Sequence, residues 1–246
     1  MTLIISHCAK GGVGTTFLAA QLALALAQRG PQVTAIDFTY QDSLKLHFGL
    51  LPRQFAPGLE ASRSSPLAIA GVELVNAYAE RLDPAFLAAV RAGGLPVAPD
   101  RLVIADIAAG DSELFQALYP LADLHLAALL PEPASLASLT RLHGDTPIPQ
   151  MQRTALVLNQ LDDRRKLSRH SHRFIKELFG DQLIGTIRRD EAVQEALALF
   201  EPLPKVAPNS VAVPDIAALV DAVLARCAAT AAATTGPDDS VLRRAI

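Results

Sequence analysis

The stretch that most limits what this 246-residue chain can become lies at its beginning: "TLIISHC", then "AKGGVGTT", then "FLAAQLALALAQRG". It reads as a strand, a glycine-rich turn and a helix closing near Gly30. The helical run is apolar nearly all round, which suits burial against a sheet and not a solvent-facing helix.

The same alternation continues to residue 227. "QVTAID", "GVELVNA", "RLVIADI", "DLHLAALL", "TALVLNQL" and "QLIGTI" read as strands. Between and after them, helices are expected in "DPAFLAAVRAGG", capped by Asp83 with Pro84 in its first turn, and in "DSELFQALYPL", capped by Asp111. Further helices are expected in "SLASLTRL", "RHSHRFIKELFG", "DEAVQEALALF" and "VPDIAALVDAVLARC". Strands alternating with helices imply crossovers between parallel neighbours, hence a three-layer α/β/α fold around a mostly parallel central sheet. Residues 51–65 carry Pro, Gly, Ser and Arg without periodicity and read as a loop. Residues 1–227 read as one domain and 228–246 as a flexible tail.

Composition narrows the function classes. Half of the residues are hydrophobic and 19% are charged, as in a globular chain. The net charge of −3 offers no global basic field for nucleic acid, so no nucleic-acid partner is expected. Two cysteines, Cys8 and Cys227, supply neither a disulfide framework nor metal-ligand spacing. The first residues lack a signal-peptide pattern, and no apolar run reaches the roughly 18 residues of a membrane span. A cytoplasmic location is expected.

The glycine turn itself has chemistry. A strand, a glycine loop and a helix N-terminus aim free backbone N–H groups and the helix dipole at an anion. Gly11, Gly12 and Gly14 let the backbone wrap a phosphate closely, and Thr16 stands where a hydroxyl reaches Mg²⁺. Against the P-loop pattern G-x-x-x-x-G-K-[ST], Ala9 fills the opening glycine position and Thr15 fills the lysine position.

"KGGVG" resembles the deviant P-loop of the MinD/ParA group of the SIMIBI class, in which the run is usually GKGGVGKT. That resemblance extends along nearly the whole chain and implies ATP and Mg²⁺ as ligands. It implies nucleotide contacts along Lys10, Gly11, Gly12, Val13, Gly14, Thr15, Thr16 and Phe17, with Lys10 crossing a homodimer interface to the partner's nucleotide. "QVTAID" is similar to the family's second motif and places Asp37 near the Mg²⁺ shell. "LVIAD" resembles a Walker B strand, with Asp106 reaching Mg²⁺ through water. "LVLNQL" resembles the strand whose asparagine, here Asn159, pairs with the adenine edge. "IRRDEAVQEA" is similar to a segment that closes over the base, with Arg188 in its proline position.

Three departures concern turnover. Thr15 removes the lysine that neutralises the β- and γ-phosphates. Thr39, in "DFT", stands where hydrolytic members have the aspartate that positions the attacking water, and Ala108 replaces a frequent switch proline. ATP binding with weak or absent hydrolysis is therefore expected, with no confident catalytic residue beyond Lys10 as a charge acting across a dimer. "GGVGTT" together with "RRDEA" resembles the branch of this family that serves bacterial cellulose secretion systems. That branch implies a nucleotide-sandwiched homodimer, a small BcsR-like partner and the inner-membrane cellulose synthase complex, with membrane contact only through partners. The alternative is a cycling ParA/MinD-type ATPase for DNA partitioning or cellular positioning. An iron–sulfur reductase is disfavoured by where its two cysteines stand, and a tyrosine-kinase relative by its three scattered tyrosines.

Overall fold

The computed structural model describes residues 1–141 and 150–234. Eight strands form one sheet: β1 (Thr2–Ser6), β2 (Val33–Asp37), β3 (Leu67–Ile69), β4 (Val72–Asn76), β5 (Leu102–Asp106), β6 (Leu124–Leu129), β7 (Thr154–Leu161) and β8 (Leu183–Arg188). Their order is β3-β4-β2-β5-β1-β6-β7-β8, and every neighbouring pair is parallel except β3 with β4. Every residue of β2, β5 and β6 is buried, as covering helices on both faces require. The expected α/β fold with a mostly parallel sheet is what forms.

The helices are α1 (Thr15–Ala27), α2 (Leu59–Ser64), α3 (Tyr78–Arg81), α4 (Pro84–Arg91), α5 (Ser112–Leu118), α6 (Pro133–Ala137), α7 (Lys166–Phe179), α8 (Ala192–Ala198), α9 (Leu203–Val206) and α10 (Ala212–Thr234). Nine of the thirteen residues of α1 are buried, which makes it a core helix. It stops at Ala27 with Gln28 as its cap; Gly30, at φ 107°, turns the chain just beyond. Asp83 and Asp111 cap α4 and α5 through the N–H groups of Ala85 and Leu114.

Three expectations change. Helix α2 lies inside the stretch read as a loop. Strand β3 joins β4 through Ala70 and Gly71, both at positive φ (50° and 81°), a two-residue turn that fits the twist of an antiparallel hairpin. Helix α10 runs seven residues into the segment read as a tail, because its alanines sustain a helix. Residues 235–246 lie outside the described residues. Among the described residues, no helix is long and apolar enough to cross a membrane.

The topology fixes where chemistry can occur. The neighbouring strands β1 and β5 send their crossovers to opposite sides, β1 toward β2 and β5 toward β6. The carboxyl ends of the strands open a crevice at such a switch point.

Candidate functional site

The glycine loop sits at that crevice. Ser6, ending β1, donates its hydroxyl to the Thr15 carbonyl (2.9 Å) and so ties the first turn of α1 to the sheet. Gly14, at φ 94°, is the N-cap of α1, and no side chain caps the helix. The first-turn N–H groups therefore face outward as an anion cradle. A Cβ added at Gly14 would meet Asn159 Nδ2 at 2.2 Å, so only glycine fits.

That contact gives Asn159 a structural part in the loop. Its Nδ2 donates to the Val13 carbonyl (2.8 Å) and its Oδ1 accepts from the Gln160 N–H (3.0 Å). Both ends of the amide hold the loop from below, and Asn159 also lines the cavity, with one N–H and one lone pair to spare. The cause is local. The β7–β8 register shifts between Leu158 and Leu161, and Gln160 takes φ 56°, which turns the Asn159 side chain beneath the loop.

Two carboxylates stand side by side at the strand ends, Asp37 of β2 in register with Asp106 of β5. Asp106 is fully buried, and neither carboxylate oxygen has a hydrogen-bond partner. Burial first, then the neighbouring Asp37 charge, pushes its carboxyl up to about 8, while the Thr16 side chain pulls the other way. An unpaired buried carboxylate is costly, and a cation would offset that cost. Asp106 and Thr16 both line the crevice and suit a hard cation that keeps its waters. Asp37 differs from its expected place in a Mg²⁺ shell. Its oxygens accept the N–H groups of Thr39 (2.7 Å) and Leu44 (3.1 Å), so it folds the loop after β2 and does not line the cavity. Burial raises its pKa, and the Thr39 and Leu44 contacts oppose that rise. Among the described residues, no three His, Cys, Asp or Glu side chains cluster as a self-sufficient metal cage.

The crevice encloses about 780 Å³, a volume in the range of small-molecule sites. Gly11, Gly12, Gly14, Thr15, Thr16 and Phe17 form one wall; the loop from Asp106 to Gly110 forms another. Thr39 also lines it, with its hydroxyl oxygen buried. Val13 is buried and contributes its carbonyl to Asn159. Ala108 accepts from the Asp111 N–H (3.0 Å), and Asp111 is gripped by two nitrogens of Arg81, which fixes this turn without a proline.

Two expected contact residues make ion pairs within the chain. Lys10 does not line the cavity; its Nζ is 3.5 Å from Glu132 of the same chain. Arg188 borders the cavity, but its guanidinium holds Asp215 of α10 (2.8 Å at the shortest) and the Val211 carbonyl (3.1 Å). Its own N–H also donates to Asp215 (2.9 Å), so it acts as a strut between β8 and α10. Gln160, Arg189 and His47 line the cavity and were not singled out in the sequence. For Arg189 the only signal was its place in "RRDEA". Neither thiol lines the cavity, and burial pushes Cys227 up to about 11.

Residues 4–203 match the CobQ/CobB/MinD/ParA nucleotide binding domain. The chain belongs to this family. Solved structures of similar fold include a putative plasmid partition protein from Borrelia burgdorferi bound to AMPPNP (19% identity, TM-score 0.66, covering 92% of this chain and 99% of that one). Another is MinD in the MinC:MinD cell division complex of Aquifex aeolicus (20%, 0.69, 92% and 96%). A third is the septum site-determining protein MinD with Mg-ADP from Pyrococcus horikoshii (18%, 0.63, 91% and 96%). No curated protein sequence matches the chain. In this CobQ/CobB/MinD/ParA member, the glycine loop, Thr16, Asp106, Asn159 and Arg188 line one cavity, while Asp37 folds the loop behind it.

Proposed function

We propose that this protein binds ATP with Mg²⁺ over the glycine loop, pairs with a second copy in that state, and serves a bacterial cellulose secretion system as BcsQ-like proteins do. The observation that carries the nucleotide reading is Asp106, a fully buried carboxylate with two unpartnered oxygens opening on the cavity of the glycine loop. Thr16 and Asp106 would hold the cation, whose chemistry is charge neutralisation at the phosphates. The AMPPNP and Mg-ADP carried by the Borrelia and Pyrococcus proteins support the ligand class.

The cellulose reading rests on the "GGVGTT" and "RRDEA" segments and on the joint loss of the phosphate lysine (Thr15) and the water-positioning carboxylate (Thr39). A protein that holds ATP and hydrolyses it weakly or not at all suits an assembly factor, because the dimer persists long enough to present a surface to a BcsR-like protein and the inner-membrane synthase. Its place is then the cytoplasm, beside the inner membrane through those partners. Residues 1–227 act as one nucleotide-binding unit. The second reading is a cycling ParA/MinD-type ATPase, favoured by the partition and cell-division proteins that share the fold.

Thr16→Ala tests the first reading. Mg·ATP binding, by calorimetry, and dimerisation, by light scattering, are expected to fall together. A dimer that forms unchanged without nucleotide overturns the sandwich. Turnover at the rate of active partition ATPases, stimulated by DNA, would favour the cycling reading.

A further inference from the structure

The cavity is short of positive charge. A P-loop lysine answers the phosphates from within the loop, and here Thr15 stands in its place. Lys10 lies outside the cavity against Glu132. The wall itself carries further acid, Asp190 and Glu191. Only two of the lining side chains, Arg188 and Arg189, are permanent cations.

Arg188 is closed off by Asp215 on both its guanidinium and its N–H. Asp190 is likewise spent within the fold, on the Ser210 hydroxyl and the N–H groups of Ala192 and Val211. Arg189 is placed differently. Its N–H donates to the Leu161 carbonyl (2.9 Å), which anchors its backbone beside the bulge at Gln160. Its side chain is half exposed, and the Glu191 carboxylate it faces is 4.0 Å away, beyond hydrogen-bond distance. It also borders a small cleft shared with Glu132, where Lys10 is held.

We propose that Arg189 is the binding cation of this site, supplying from the same subunit the positive charge that the loop lacks. This rests on the nucleotide-binding reading above. Strand β8 stands three strands from β1, so Arg189 approaches from the side opposite the glycine loop and acts on the ligand's charge, not in place of the lysine's contact. Such an effect reaches beyond hydrogen-bond distance and is screened by salt, and the guanidinium stays charged. The ligand class it selects is an anionic nucleotide over the uncharged nucleoside.

The test is calorimetry on the full chain with Mg·ADP and with adenosine, for the wild type, Arg189→Gln and Arg189→Lys, at low and high salt. Arg189→Gln is expected to weaken Mg·ADP by about tenfold, equivalent to about 1.4 kcal/mol, and adenosine by less than about twofold. Arg189→Lys should restore most of the loss, and the wild type should be the more salt-sensitive protein. Unchanged Mg·ADP affinity in Arg189→Gln, with the wild type binding, overturns the proposal and leaves the nucleotide reading standing. Equal losses for Mg·ADP and adenosine, unrescued by lysine, also overturn it, since they mark a base contact and not a charge effect. A wild type that binds neither ligand overturns the nucleotide reading and this proposal with it.

Discussion

Asn159 lies directly beneath Gly14, and the space between them is too small for a methyl group. Its Nδ2 holds the Val13 carbonyl at 2.8 Å while Gly14 turns the chain at φ 94°. Gly14→Ala therefore meets both a steric and a backbone penalty. It is expected to lower stability by about 1–3 kcal/mol and to abolish detectable nucleotide binding. Asn159→Ala should loosen the same loop without the clash, giving a smaller loss of affinity. Thermal unfolding and calorimetry on the two variants check the order.

Burial of Asp106 without a hydrogen-bond partner costs the empty protein stability, which a cation bound as proposed would recover. Asp106→Asn removes the buried ionisable group. The empty variant should unfold at a higher temperature near neutral pH, by an amount on the order of 1–3 kcal/mol. The added stability that Mg·ATP gives the wild type should vanish in the variant. Thermal scans with and without Mg·ATP read both effects, and a variant still stabilised by Mg·ATP would contradict this role for Asp106.

Much of this was legible in the chain because it depends on near neighbours in sequence. Asp83 and Asp111 announce their helices, and the fully apolar strands announce a sheet covered on both sides. What was hidden depends on distant partners. Helix α2 begins at Leu59 after Gly58, which brings no side-chain cap; Glu80, 21 residues beyond Leu59, accepts the Leu59 N–H instead. Arg188 became a strut because Asp215 faces it from α10, and Asn159 became a brace because a bulge turned it. Residue type and spacing placed these two residues at the cavity, yet tertiary contacts decided what each side chain holds.

Two buried histidines cost stability as pH falls, against the opposite trend from Asp106. Burial lowers His7 and His47 from their ordinary value of 6.5 to about 4, with Asp111 raising His7 slightly against that trend. The unfolded chain takes up these protons first, so the stability they allow is present above pH 6.5 and is lost as pH falls toward 4. Each contributes up to roughly 3 kcal/mol of that loss. His7 stacks on Phe115 (4.4 Å between ring centroids, 18° between planes), and neither of its ring nitrogens has a hydrogen-bond partner. His7→Phe should therefore raise stability at neutral pH by about 1 kcal/mol and flatten the acid slope. Urea unfolding at a series of pH values decides it.

Lys10 and Glu132 form a half-exposed ion pair 3.5 Å long. A pair of this kind contributes less than about 1 kcal/mol, so Glu132→Gln should barely change the unfolding temperature. If Lys10 must leave Glu132 to reach a second copy's nucleotide, the variant should dimerise at a lower ATP concentration, and Lys10→Ala should bind ATP yet remain monomeric. Sedimentation with and without ATP separates the two.

Thr15 and Thr39 make the hardest test, since each loss alone could account for slow turnover. Thr15→Lys returns a charge to the loop and is expected to tighten ATP binding by about tenfold. It should not raise hydrolysis by more than about threefold, because phosphoryl transfer also needs its water held in line. The Thr39 hydroxyl is buried at the cavity wall and carries no negative charge. Its backbone N–H is fixed to Asp37 at 2.7 Å, so an aspartate introduced there would keep its place beside the cavity. Thr15→Lys combined with Thr39→Asp should therefore raise phosphate release by an order of magnitude or more over either single variant. Fast release by Thr15→Lys alone would show that the lysine was the whole deficit and that Thr39 had no part in it.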